Sequence, residues 1–83
     1  GLFLKGLTLL DTFNVELTAT KSGSVSVAVY SFDGLIVSYK NIQLSEGSNV
    51  LNENLSSQKS GIYIVKITNE LTGEVTIKKI VKQ

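Results

Sequence analysis

Serine hydroxyls, lysine amines and carboxylates are the side chains here that could carry chemistry, and their arrangement singles out no reactive centre. A nucleophilic serine needs a base, and the 83 residues include no histidine, the side chain that titrates nearest neutral pH. A serine–lysine pair stays open in principle. Eight lysines and abundant serines, however, scatter such pairs along the chain without marking one. Glycoside hydrolysis would need two carboxylates flanking a sugar bond. Asp33, Glu46, Glu53, Glu70 and Glu74 all fall in or beside expected turns, where acids are ordinary solvated groups. Asp33-Gly34 lacks the alternating acids and closing glutamate of a calcium loop, which leaves open only calcium held by carbonyls and scattered acids. With no cysteine there is neither a thiolate metal site nor a disulfide framework. Gly23, Gly34, Gly47, Gly61 and Gly73 are spaced as turn residues and never cluster into a phosphate cradle. No catalytic residue, metal or cofactor is therefore assigned, and the chain reads as something other than an enzyme.

Binding is better represented. Tyr30, Phe32 and Tyr39 could form an aromatic platform for a sugar, as in a small adhesion or carbohydrate-binding module. The plainer alternative packs Tyr39 inside and leaves Tyr30 and Phe32 flanking a hairpin. Lys78, Lys79 and Lys82 make a basic patch that serves either to guard an edge strand against self-association or to dock a partner. Nucleic acid is a poor fit: the net charge is +1 and all eight cations are lysines, whereas phosphate and guanine recognition favours a basic excess and arginine forks. No apolar run reaches the length of a membrane-spanning helix. The apolar opening Gly1–Leu10 has only Lys5 for positive charge and no small-residue cleavage site, so a signal peptide fits it badly. Residues 1–11 are left as a first strand, a leader or a foreign remnant.

The elements that must position these groups are strands. Phe13, Val15, Leu17 and Ala19 alternate with Asn14, Glu16, Thr18 and Thr20, the period-two pattern of a half-buried strand. Lys21-Ser22-Gly23 reads as a turn with Gly23 at positive φ. Val25, Val27 and Val29 repeat the alternation. Asp33-Gly34 is a hairpin signal joining strands expected at 24–31 and 35–42, with Leu35, Val37 and Tyr39 on one face of the second. Ser45–Ser48 is a turn, and 49–55 a weaker strand in which Val50 and Leu51 face opposite ways. Along 62–68, Tyr63, Val65 and Ile67 fill one face and Ile62 and Ile64 the other, which places this strand centrally in a sheet. Gly73 closes the next turn. In the last strand Val75 and Ile77 keep one register while Ile80 breaks it, so a bulge near Lys78-Lys79 is expected. Six or seven short strands with turn signals between them describe an antiparallel sandwich.

The later motifs carry a family resemblance. Gly61-Ile62-Tyr63-Ile64-Val65-Lys66-Ile67, followed by Ile77-Lys78-Lys79-Ile80-Val81-Lys82-Gln83, resembles the C-terminal sorting domains of the type IX secretion system. Val27-Ala28-Val29-Tyr30-Ser31-Phe32-Asp33-Gly34 is similar to that family's strand and turn, and Leu44–Asn52 to its Leu-x-x-Gly-x-Asn segment. The likeness covers residues 12–83. It departs from the family where Leu9-Leu10-Asp11-Thr12 replaces the usual Asn-Pro opening. It implies an immunoglobulin-like antiparallel β-sandwich of about seven strands carried by a secreted or cell-surface protein of a Gram-negative bacterium. The implied partners are the outer-membrane translocon, its shuttle proteins and a sortase-like protease that removes the domain. Gly34, Gly61 and Tyr63 match structural positions of the motif. Lys66, Lys78, Lys79, Val81 and Lys82 are the positions from which a partner would read the address.

Overall fold

The computed structural model describes residues 2–5 and 12–82, with side chains described from residue 16 onward. The expected inward direction of Phe13 and Val15, the Leu9–Asp11 departure and the terminal Gln83 lie outside what is described. Seven strands run in order: β1 (Leu2–Lys5), β2 (Thr12–Ala19), β3 (Gly23–Ser31), β4 (Ile36–Leu44), β5 (Gly47–Asn54), β6 (Gly61–Asn69) and β7 (Val75–Lys82). They form two antiparallel sheets, β1-β2-β5 and β4-β3-β6-β7. The chain crosses between sheets after β2, β4 and β5, and closes hairpins within a sheet at β1–β2, β3–β4 and β6–β7. The β-sandwich read from the alternation is thus the observed architecture, and β6 is central in its sheet as expected.

The core lies between the sheets and, among the described residues, is built mainly from alternate positions of the strands. Leu17 and Ala19 face Val25, Val27 and Val29 of β3 and Tyr63, Val65 and Ile67 of β6, with Leu44, Leu55 and Ile80 closing the cluster. β-Branched valine and isoleucine dominate because they fill a pleated surface with little rotamer freedom to lose.

Four local expectations are corrected. Gly23 has no positive φ and simply begins β3. At the β3–β4 hairpin the Gly34 N–H donates to the Ser31 carbonyl at 3.0 Å and the Ser31 N–H to Leu35 at 2.8 Å. Within this turn only Gly34 takes a left-handed angle, φ 91°. A Cβ there would meet no neighbour, so the penalty of a side chain is purely one of backbone. Gly34→Ala should cost about 1 kcal/mol, read as a lowered urea midpoint with unchanged slope.

The second correction concerns Tyr39. Opposite partners run Val25↔Ile42, Val27↔Lys40 and Val29↔Ser38, then shift to Tyr30↔Ile36. The extra residue, Val37, is a bulge that reverses the inward–outward parity of β4. Val37 still packs against the core, but Tyr39 points outward and is 59% exposed. The third correction follows the same logic in reverse. β7 pairs with β6 in unbroken register from Gly61↔Lys82 to Thr68↔Val75, so there is no bulge at Lys78-Lys79. Ile80 faces the core opposite Tyr63, and Val75, Ile77 and Val81 face out instead.

The fourth is Glu53, which lies inside β5 rather than beside a turn, and is only 2% exposed. β4 and β5 are edge strands of opposite sheets on the same side of the sandwich. Across that gap the Ser38 hydroxyl donates to Glu53 Oε1 at 3.0 Å, and the Lys40 ammonium sits 2.6 Å from Oε2. Lys40 also donates to the Asn52 carbonyl at 3.1 Å. Among the described residues Oε2 has no partner besides that ion pair. The group clasps the two sheets together where both lack a further strand.

Candidate recognition face

The motif residues divide between a structural end and an exposed face. At the end, Gly61 opens β6 and Tyr63 follows it on the core side, where its hydroxyl donates to the Lys59 carbonyl at 2.5 Å. A tyrosine near the start of a strand, bonding back to the backbone a few residues upstream, is the tyrosine corner of immunoglobulin-like sandwiches. It pins the β5–β6 loop. Lys82 stands opposite Gly61, is 8% exposed, and its ammonium donates to the Gln58 carbonyl in that loop at 2.6 Å. The chain thus ties one loop twice, from the start of β6 and from the end of β7. Tyr63→Phe leaves the ring in place and strands a carbonyl, a loss of about 1–1.5 kcal/mol. Thermal unfolding should register it as a Tm lower by about 4–12 °C for a domain of this size.

The exposed face is the side of the four-stranded sheet turned away from the core. Cross-strand partners define it: Lys66 lies between Ala28 and Ile77, Ile64 between Tyr30 and Lys79, and Ile62 beside Val81. Tyr39 extends the first row past Ala28, and Ile36 the second past Tyr30. Of the five residues expected to be read by a partner, Lys66, Lys79 and Val81 therefore share one surface. Lys78 projects from the opposite side of β7, opposite Val65, and is exposed at the sheet edge. Lys82 is occupied in the loop contact. Tyr30 and Tyr39 join the same surface as the lysines, while Phe32 sits exposed in the hairpin turn.

Sequence reading missed the apolar share of this face. Ile77 is 61% exposed and Ile36 59%. The signal is present in Val75 and Ile77, which share the outward parity of Val81 and not that of Ile80. Among the described residues, no three His, Cys, Asp or Glu side chains converge as a metal set, and no helix is long and apolar enough to cross a membrane.

A family model described as a secretion system C-terminal sorting domain matches residues 10–83. No curated protein matches the chain.

Proposed function

This chain belongs to the family of secretion-system C-terminal sorting domains, and we propose that it acts as a folded address whose recognition runs through Lys66, Lys79 and Val81. The domain is a sorting signal of type IX secretion, so the cargo that bears it is a secreted protein. The finer reading is our own. The outer-membrane translocon and its shuttle proteins bind the sandwich, and a sortase-like protease then removes it at the surface of a Gram-negative cell. Residues 12–83 form the sorting unit, and the opening segment contributes Leu2–Lys5 as a first strand. Pairing of β1 with β2 supports the first-strand reading of the opening.

The domain itself performs no reaction in this reading; it presents a shape and a charge pattern. The observation that carries the proposal is the coincidence of Lys66, Lys79 and Val81 on one sheet face within a chain of this family. Lys82 contributes by holding the loop end of β7, and Lys78 flanks the face from the strand edge.

The test is delivery of a reporter. The full 83-residue chain, fused behind a fluorescent protein in a bacterium that has this system, should bring the reporter to the cell surface. A reporter held in the periplasm, under conditions where an established sorting domain delivers the same protein, would refute the reading.

A further inference from the structure

We propose that the outward face of β4-β3-β6-β7 docks an apolar partner surface that carries carboxylates, borne by a protein of the secretion machinery. The inference rests on the sorting function above and specifies the chemistry of what does the reading.

Three observations lead to it. First, one end of the face is apolar where a solvated sheet face would be polar: Ile36, Tyr39 and Ile77 are each about three-fifths exposed, and Ile62, Ile64 and Tyr30 lie half-buried among them, whereas Ser24, Ser26, Asn41, Gln43 and Thr68 make the other end polar. Antiparallel sheets usually solvate their outer face with polar side chains, and a contiguous apolar patch on a small domain marks a contact surface. Second, the opposite sheet behaves as that rule expects. The described outward positions of β2 and β5 are Glu16, Thr18, Ser48, Val50, Asn52 and Asn54, with a single large apolar residue. The asymmetry points to one working face. Third, the strand positions of the apolar face hold two cations, Lys66 and Lys79, and no carboxylate.

The charge pattern selects the occupant. A second copy laid face to face would set four ammonium groups against one another with no counter-charge, and like charges opposed across an interface disfavour pairing. A hydrocarbon surface alone would leave both ammonium groups desolvated and unpaired. A partner that matches the isoleucines with apolar side chains and meets each lysine with a carboxylate satisfies both.

The experiment reads surface delivery of the reporter fused to the full chain. Lys66→Glu together with Lys79→Glu should reduce delivery by at least about tenfold, since reversing two interfacial charges turns attraction into repulsion. Lys21→Glu with Lys59→Glu changes the net charge equally but alters the exposed turn and loop, and should stay within about twofold of the parent. Lys66→Arg with Lys79→Arg keeps the charges and should deliver normally. Ile77→Ser removes apolar contact without touching charge and should lower delivery several-fold. Circular dichroism and melting of the purified chains confirm that each variant is folded.

Parent delivered and the double glutamate variant delivered equally would overturn the docking face, and with it recognition through Lys66 and Lys79, and leave the sorting function of the family standing. A parent that is itself undelivered would remove both. A dimer seen by light scattering and abolished by Ile77→Ser would assign the face to a second copy and overturn the partner proposed here.

Discussion

Ile67→Ala is expected to lower the stability of the chain by about 3–4 kcal/mol, the middle of the range of about 2–5 kcal/mol for truncating a buried isoleucine in a packed core. Ile67 has no exposed surface and stands in the middle of β6, with Val27 opposite it on β3 and Thr76 on β7. The strands on either side are held in register by unbroken ladders, so they cannot collapse into the space. A domain of 83 residues has a total stability of only about 4–12 kcal/mol, so this one change removes a large fraction of it. Urea unfolding should show a midpoint about 2–4 M lower with the slope nearly unchanged. Ile67→Val, which deletes one methyl group, should lose only about 1 kcal/mol. If the secretion machinery reads a folded sheet face, reporter delivery should fall in the same order: parent, valine, alanine. Delivery of the alanine variant at the parental level, with its unfolding confirmed, would show instead that an extended motif is read.

Lys40→Met should destabilise the domain by about 2 kcal/mol. Stranding one charge of a fully buried pair costs about 3–5 kcal/mol, and the 44% exposure of the Lys40 side chain lets water reduce that loss. The substitution keeps most of the hydrocarbon stem but leaves the carboxylate of Glu53, 3% exposed at its side chain, with the Ser38 hydroxyl as its remaining described partner. Adding Glu53→Met removes the orphaned charge. The double variant should therefore recover most of the lost stability, because a buried ion pair exchanged for apolar side chains of similar size is often neutral or better. A double-mutant cycle on denaturant midpoints measures this coupling directly. Additive losses would mean that Glu53 and Lys40 act independently and that the clasp between β4 and β5 contributes nothing as a unit.

Much of this molecule can be read from residue order because a strand has a period of two. Val25, Val27 and Val29 can share a face only if their segment is extended, and the same holds for Tyr63, Val65 and Ile67. Their burial follows from that alternation with no further information. The Asp33-Gly34 turn was equally legible, since Gly34 tolerates the left-handed angle the hairpin requires. The motif pair around Gly61-Ile62-Tyr63 and Lys79-Ile80-Val81 was legible as a likeness, and the family match over residues 10–83 agrees with it.

Parity and partnership belonged to the tertiary structure. One extra residue at Val37 reversed the direction of every later side chain in β4, sending Tyr39 to solvent and turning Lys40 and Ser38 toward Glu53. No local signal announces a bulge, because its cost and benefit are settled by the neighbouring strand. In β7 the opposite error arose. Ile80 was the inward residue, and three apolar neighbours faced water, a distinction that composition cannot make and that pairing with Tyr63 decides. The lysines show the same division. Lys66 and Lys79 occupy the exposed face, whereas Lys82 is drawn onto the carbonyl of Gln58, 24 residues away in the chain. Residue order determined that this chain forms strands and turns, because periodicity and glycine tolerance are local properties. Which side chains face a partner and which hold the sandwich shut was decided only when the two sheets met, because that depends on register between segments distant in sequence.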